Sequence, residues 1–397
     1  MRISTAQIFS LSLNQMNSAL NDVSKLTMMN ASQKRINSPS DDPAGMGKVV
    51  ELSAYESSLS GYIDNCGTAL DYLGAADQVL STASETIAAA MELCEQASTE
   101  TYTDDELKMM ALEMEGYLDA LYAMANTEMG SDSVFAGDDI GDNAYEMGLG
   151  VTLSNDSLDS ADFVSLSGEV DETVAVRFTS DGTVGTDGLD YEYSTDGGET
   201  WTQAALAAGD TVLDLGDAQI ELAAGTAVTA ADGDGGGSLF HLREACVYTG
   251  SAKAMSVAVS ESTSEDMNTV GSDIFGGVDD STGLPFDSPN LFETLSDCIV
   301  FMENGDHEGA ARCLEVLGEC HETVETGAAD IGARENKVTY TQTSLSLIKE
   351  LAANSISREE DADATQLVVE LEQANYVYEA VLSTSSSIMS MSLLDYI

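Results

Sequence analysis

The stretch "INSPSDDPAG", Ile36 to Gly45, sets two prolines around a pair of aspartates between two long apolar-periodic runs. Either the aspartates form an acidic chemical site, or the stretch is punctuation between helices. Pro39 disfavours the α region at Ser38, so a helix arriving from the N-terminal side is expected to end there. Ser40 is a favourable N-cap, Asp41 and Asp42 suit the positive end of a helix dipole, and Pro43 fits a first turn. Adjacent residues at a helix start point in different directions, and no histidine accompanies them. The stretch therefore reads as a stop, a cap and a restart. Pro39, Ser40, Asp41, Asp42 and Pro43 form a hinge and not a carboxylate site.

Working outward, Phe9, Leu13, Met16, Leu20 and Val23 recur at four-three spacing within 5–33, one seam of a helix. After the hinge, Leu52, Leu59, Cys66, Leu73, Leu80, Ile87 and Cys94 recur every seven residues. Tyr55, Tyr62, Ala69, Ala76, Ala83, Ala90 and Ala97 follow each by three, a heptad pattern whose alanines imply close helix approach. A further helix over 107–125 is announced by Thr103 and Glu106 as a capping box. Cys313 to Ile348 keeps the same spacing, and the register then breaks across "ANSISREEDADA". A last helix carries Leu367, Leu371, Ala374, Tyr378, Val381 and Ile388. The 52–97 seam is expected to pair with the 313–348 seam and the 107–125 helix.

Between these ends the composition changes. Residues 145–235 hold β-prone runs such as "TVAVRFTS", separated by Asp-Gly and Gly-Gly turn signals, and "DGDGGG" at 232–237 reads as a turn or linker. Segment 238–285 is left open as strand, loop or both. The fold class is mainly α with a β-rich insert: a long coiled-coil-like helical bundle from both chain ends and a central β domain. The domains are terminal helices at 1–43 and 353–397, a helical bundle at 44–144 and 286–352, and an acidic insert at 145–285.

The formal net charge is −56, and residues 109–311 hold 40 Asp and Glu against three basic residues, Arg177, Arg243 and Lys253. Such a surface repels phosphate backbones and anionic lipid heads, so neither nucleic acid nor membrane is an expected partner. The N-terminus lacks a continuous apolar core and a small-residue cleavage site, so no cleaved secretory signal is expected. The six cysteines form no Cys-x-x-Cys pair; Cys66, Cys94, Cys313 and Cys320 fall on helix seams and read as core packing. No nucleophile elbow, P-loop or dinucleotide fingerprint is present. No cofactor, metal or catalytic residue is expected.

What remains is an amphipathic helix at each chain end, separated by a hinge from its bundle. Such helices are marginal alone in water, and they are read here as assembly surfaces that order when subunits pack. The competing reading pairs the two with each other inside one molecule. On the first reading, the subunit interface is carried by Phe9, Leu13, Met16, Leu20, Val23, Leu367, Leu371, Ala374, Tyr378, Val381 and Ile388.

"MRIST" at 1–5, "SPSDDPAG" at 38–45, "SVFAGDD" at 133–139, "ADIGARENKV" at 329–338 and "SLLDYI" at 392–397 resemble strings of the flagellin superfamily. Within it, Pro43 and the Leu-Leu-Asp-Tyr-Ile tail resemble the hook-associated, flagellin-like branch more than flagellin itself. One departure stands out. The family commonly reads "SSGKR" or "STGKR" after the first helix, whereas here "NASQKRIN", Asn30 to Asn37, lacks the glycine and keeps Lys34 and Arg35.

The resemblance covers about 1–140 and 290–397. It implies a structural protein of the bacterial flagellum, outside the cell, exported unfolded through the flagellar type III channel. Its terminal helices would build an inner tube, its long helices the next shell, and its insert the outer surface. The implied partners are further copies of itself in a ring, the hook-side junction protein, flagellin and a flagellar export chaperone. A divergent filament-forming flagellin, an enzyme domain within 145–285 and a cytoplasmic coiled-coil scaffold are the alternatives.

Overall fold

The structure, a computed structural model, describes residues 5–99, 101–155, 157–170, 172–231, 236–280, 283–287 and 289–394. Seven helices are present among them: α1 Thr5–Ser32, α2 Pro43–Ala97, α3 Asp104–Ala125, α4 Ser272–Phe275, α5 Leu291–Glu303, α6 His307–Glu360 and α7 Ala364–Leu394. The chain divides into two compact units, Met1–Asp64 with Gln342–Ile397, and Asn65–Thr341.

In the unit spanning Asn65–Thr341, the heptad seam of α2 is fully closed. Cys66, Leu73, Leu80, Ile87 and Cys94 are buried, as are Ala69, Ala76, Ala83, Ala90 and Ala97. On α6, Leu317, Val324 and Ile331 are equally closed from solvent. The two helices run antiparallel here. Ser84 Oγ lies 2.9 Å from His321 Nε2, Cys94 Sγ donates to the Ala310 carbonyl at 3.0 Å, and His307 Nδ1 reaches the Ala97 carbonyl at 2.6 Å. Each fully buried Leu or Ile on the seam contributes about 1.5–3 kcal/mol.

α3 starts as its capping box requires, with the Glu106 carboxylate accepting from the Thr103 N–H at 2.9 Å. It packs chiefly on α5, a helix that periodicity did not announce. The sequence of α5, "LFETLSDCIVFME", is buried nearly all round, so no polar face marks its period. Asn290 caps it by accepting from the Glu293 N–H at 3.2 Å. The same amide accepts from Gly277 N–H at 2.7 Å and donates to its carbonyl at 2.8 Å. Gly276 is required beside it, because φ is +69° and a Cβ would stand 2.3 Å from Asn290 Oδ1.

The β-rich region forms two main sheets. Strand Leu239–Tyr248 is the hub of the larger one, extending the region beyond 235 into the segment left open by sequence. It pairs antiparallel with Tyr145–Leu153 along its length. On its other edge it takes Val174–Phe178 antiparallel and Val278–Asp279 parallel. Leu189–Ser194 and Thr202–Leu206 continue that edge. A three-stranded sheet of Phe163–Gly168, Ala218–Leu222 and Val212–Asp214 shares one core with it, centred on Val176, Phe178, Leu213, Ile220, Phe240 and Leu242. Residues 232–235 of the expected "DGDGGG" turn lie outside the described residues.

α5 is bound to the sheet through a buried charge cluster. Arg243 donates to Glu293 at 3.0 and 3.3 Å, to Asp297 at 2.9 Å and to Thr152 Oγ1 at 2.7 Å. Thr152 in turn donates to Asp297 at 2.6 Å. Burial opposes the Arg243 charge, but Glu293 and Asp297 more than offset it and hold the guanidinium protonated.

In the other unit, α1 packs along α7. α1 ends at Ser32, within a residue of the expected 5–33 seam, because Gln33 takes φ +60° and Lys34 leaves the helix to bridge Asp361. The expected second break is corrected. α6 runs unbroken through "ANSISREE" to Glu360, so its break is confined to Asp361–Asp363.

Candidate functional site

No helix among the described residues is long and apolar enough to cross a membrane. Nor does any group of three or more His, Cys, Asp or Glu there form a set able to hold a metal ion. A cleft of about 360 Å³ lies between the larger sheet, α5 and α6. Its carboxylates Glu293 and Asp297 are already engaged by Arg243, and its walls are mainly Leu153, Phe163, Leu166, Phe286 and Phe301. The features that stand out instead are the two breaks and the terminal helices they join.

The breaks clasp each other. Arg35 N–H donates to the Glu360 carbonyl at 2.7 Å, and Ala362 N–H donates to the Gln33 carbonyl at 3.0 Å. The Arg35 guanidinium reaches the Glu359 carbonyl at 2.8 Å and Asp42 at 3.2 Å. Lys34 pairs with Glu360 at 2.6 Å and Lys48 with Glu359 at 3.2 Å. Exposed pairs of this kind contribute little singly; their value here is the number of them converging on one junction.

The first break folds on its own polar atoms. Asp41 accepts from the Ser38 N–H at 2.9 Å, the Asn37 N–H at 3.2 Å and the Ser38 hydroxyl at 3.0 Å. Asp42, and not Ser40, caps α2, because its Oδ1 accepts from the Gly45 N–H at 3.0 Å. Pro43 is thereby the first helical residue, where its missing N–H costs nothing. Backbone donors lower both carboxyls, Ser38 chiefly for Asp41 and Gly45, followed by Arg35, for Asp42. Beneath them, Ile36 is buried against Gly45. Pro39 and Ser40 are exposed and make the turn, and Pro43 is exposed at the start of α2.

Asp363 caps α7 by accepting from Thr365 N–H at 2.9 Å and Gln366 N–H at 3.2 Å. Leu367 is buried at the start of that helix. Leu371, Ala374, Tyr378 and Val381 are half-buried, as are Met16 and Val23 on α1. Ala19, absent from the expected set, is the buried centre of the α1 stripe. The side chain of Ile388 lies outside the described residues. Phe9, Leu13 and Leu20 are exposed, with 44%, 39% and 46% of their surface open. At 100° per residue these three share a face of α1 beside the one turned to α7. On α7, Val368, Val369, Tyr376, Val377 and Leu382 are exposed as well. The two helices leave a groove of about 510 Å³ lined by Ala19, Leu26, Met29, Gln373, Ala374 and Val377 among others.

Gln33, Arg35, Ile36, Glu359, Glu360 and Asp363 were missed as parts of this site. The basic pair Lys34–Arg35 and the acidic run "EED" at 359–361 were the legible signal, since opposite charges at two breaks suit a contact.

Residues 3–138 match the bacterial flagellin N-terminal helical region, and residues 314–397 match the C-terminal helical region, together more than half of the chain. No curated protein matches it. Among solved structures, the chain is similar to a flagellar hook-associated protein of Vibrio parahaemolyticus, at 13% identity and a TM-score of 0.48, over 81% of this chain and 100% of that one. It is similar to Bacillus cereus FlgL at 13% identity and 0.44, over 77% and 99%. It is also similar to the flagellar hook associated protein-3 of Legionella pneumophila at 11% identity and 0.39, over 78% and 98%. These likenesses are remote, whereas the two matched ends span the helices that meet at the clasp: the chain belongs to the bacterial flagellin family and is a structural component of the flagellum.

Proposed function

We propose that this protein joins the flagellar hook to the filament, as a ring of subunits between the hook-side junction protein and the first flagellin. The observation that carries the reading is the apolar face of α1 and α7 that remains open after they pair: Phe9, Leu13 and Leu20, with Val369 and Tyr376. Exposed apolar side chains on both terminal helices suit burial against neighbouring subunits. Pro43 after the aspartate pair and the Leu-Leu-Asp-Tyr-Ile tail favour the junction over the filament.

In this reading the terminal segments 1–43 and 353–397 form the inner tube, the long helices the next shell, and the 145–285 insert the outer surface. Met16, Val23, Leu371, Ala374, Tyr378 and Val381 close the pair inside each subunit. Phe9, Leu13 and Leu20 pack between subunits. The chain is exported unfolded, and a chaperone covers the α7 face until docking. The hinge at 39–43 sets the direction of α1 relative to its own helix pair.

Immunogold labelling of isolated flagella with an antibody to residues 145–285 tests the assignment. A single band where filament meets hook is the expected result. Label along the whole filament would instead make the protein a divergent flagellin. Deleting 367–397 is expected to leave unit Asn65–Thr341 folded and to abolish filament attachment; motile cells carrying the truncation would refute the assembly role of α7.

A further inference from the structure

Helices α2, α5 and α6 each deliver one thiol to a single point in unit Asn65–Thr341. Cys94 Sγ lies 3.3 Å from Cys298 Sγ, and Cys298 is hydrogen-bonded to Cys313 as well. All three are buried and free. Packing needs only an apolar group there, and Leu73, Leu80 and Ile87 supply it at the equivalent heptad positions of α2. Three sulfurs in contact are a different chemical object. Closing the Cys94–Cys298 pair to a disulfide length of about 2.05 Å requires the sulfurs to approach by about 1.3 Å.

We infer that Cys298 forms an intramolecular disulfide with Cys94 when the protein folds in the presence of a low-molecular-weight disulfide, stapling α5 to α2. The Cys298 thiolate attacks one sulfur of the small disulfide, whose S–S bond breaks and releases one thiolate. The Cys94 thiolate then attacks the Cys298 sulfur, forming the protein S–S bond and expelling the second small thiolate. The two cysteine protons end on the two released thiols. Two cysteines lose two electrons in all, and one small disulfide gains them.

The packed core controls when this happens. Hydrogen bonding with Cys313 and Cys94 that favours the neutral thiol, and then burial, push the Cys298 thiol up, so the closed fold holds almost no thiolate there. Exchange therefore belongs to the open, folding chain, and packing afterwards shields the product from reductants. Cys94 is the partner because packing of α2 against α5 brings its sulfur to 3.3 Å from that of Cys298 as the fold closes.

The test refolds the full chain from denaturant with excess oxidised glutathione, followed by non-reducing peptide mapping. The expected product links the Cys94 and Cys298 peptides and leaves Cys66, Cys246, Cys313 and Cys320 free. Its Tm should exceed that of the reduced protein by about 10 °C. Cys298→Ser should abolish both the link and the Tm difference; if that variant does not fold, the wild-type map decides alone. Six free thiols after refolding, a link from Cys298 to Cys313, or a link through Cys66, Cys246 or Cys320 would each overturn the inference.

Discussion

Lys34 and Asp361 face each other as an isolated antiparallel bridge joining the break after α1 to the break after α6. Neither break closes its backbone hydrogen bonds alone: Arg35 N–H needs the Glu360 carbonyl, and Ala362 N–H needs that of Gln33. The clasp is therefore a cooperative unit, and changes on either side are felt on both.

Gln33 occupies φ +60°, a left-handed backbone that favours glycine. A non-glycine residue there costs roughly 1–2 kcal/mol. Gln33→Val is expected to destabilise by about 1–2 kcal/mol, and Gln33→Gly to be neutral or slightly stabilising. Urea unfolding, with hydrogen exchange at 33–36 as the local readout, measures both. A clearly weaker glycine variant would mean that the Gln33 side-chain bond to the Asn30 carbonyl, at 2.8 Å, outweighs the backbone strain.

Gly45 and Gly47 lie two residues apart in α2 and should respond with opposite sign. A Cβ at Gly45 would stand 2.7 Å from Ile36 Cδ1, whereas one at Gly47 meets nothing within 4 Å. Alanine gains up to about 1 kcal/mol in helix propensity. Overpacking removes about 1–3 kcal/mol. Gly45→Ala is expected to lose about 1 kcal/mol and Gly47→Ala to gain up to that amount in denaturant titrations.

Asp41 and Asp42 are held below the usual carboxylate range by backbone N–H groups, so they bind fewer protons folded than unfolded. Their contribution is present above the unfolded carboxylate pKa of about 3.9 and is lost as pH falls through the lowered folded values. Thermal unfolding of Asp42→Asn should show a lower Tm than wild type by a few degrees at pH 7 and a narrowed gap near pH 3. An unchanged gap across that range would show that the charge of Asp42 is irrelevant.

His241 titrates in the Asn65–Thr341 unit. Burial, and then Arg243, lower it to about 4. A neutral buried His contributes stability above the unfolded pKa of about 6.5, lost as pH falls toward 4. The shift corresponds to about 3 kcal/mol. Wild type should lose about that much more than His241→Gln between pH 7 and pH 4. Parallel stability curves would mean that the ring is solvated at low pH.

Arg243→Met leaves Glu293 buried without its cation. Removing one partner of a buried charged cluster costs about 3–5 kcal/mol. Urea unfolding should register that loss, and Arg243→Met combined with Glu293→Leu should recover part of it. No recovery in the double variant would place the cost in packing of α5 and not in stranded charge.

Much of this architecture was legible. Seven-residue repetition of large and small side chains fixed α2, and the same spacing fixed α6, because burial against a neighbouring helix demands a stripe whatever the partner. The stripe of α1 was legible as a whole, but not its division. Met16 and Val23 turn toward α7 while Phe9 and Leu13 do not, and that depends on where the partner lies. The existence of a break at 33–42 was readable from its prolines and aspartates. Its cap was not, since Ser40, Asp41 and Asp42 are all good caps and only the path of the backbone selects Asp42.

By itself the sequence determined the periodic helices, the breaks, the acidic insert and the family, because these depend on residue spacing and composition along the chain. Only the tertiary structure decided what has no local period. α5 is buried on all sides and shows no stripe. Gln33 is left-handed because Asp361 waits across the clasp. Cys94, Cys298 and Cys313 meet only because three helices converge. Such features arise from contacts between residues hundreds of positions apart, and only folding brings those residues together.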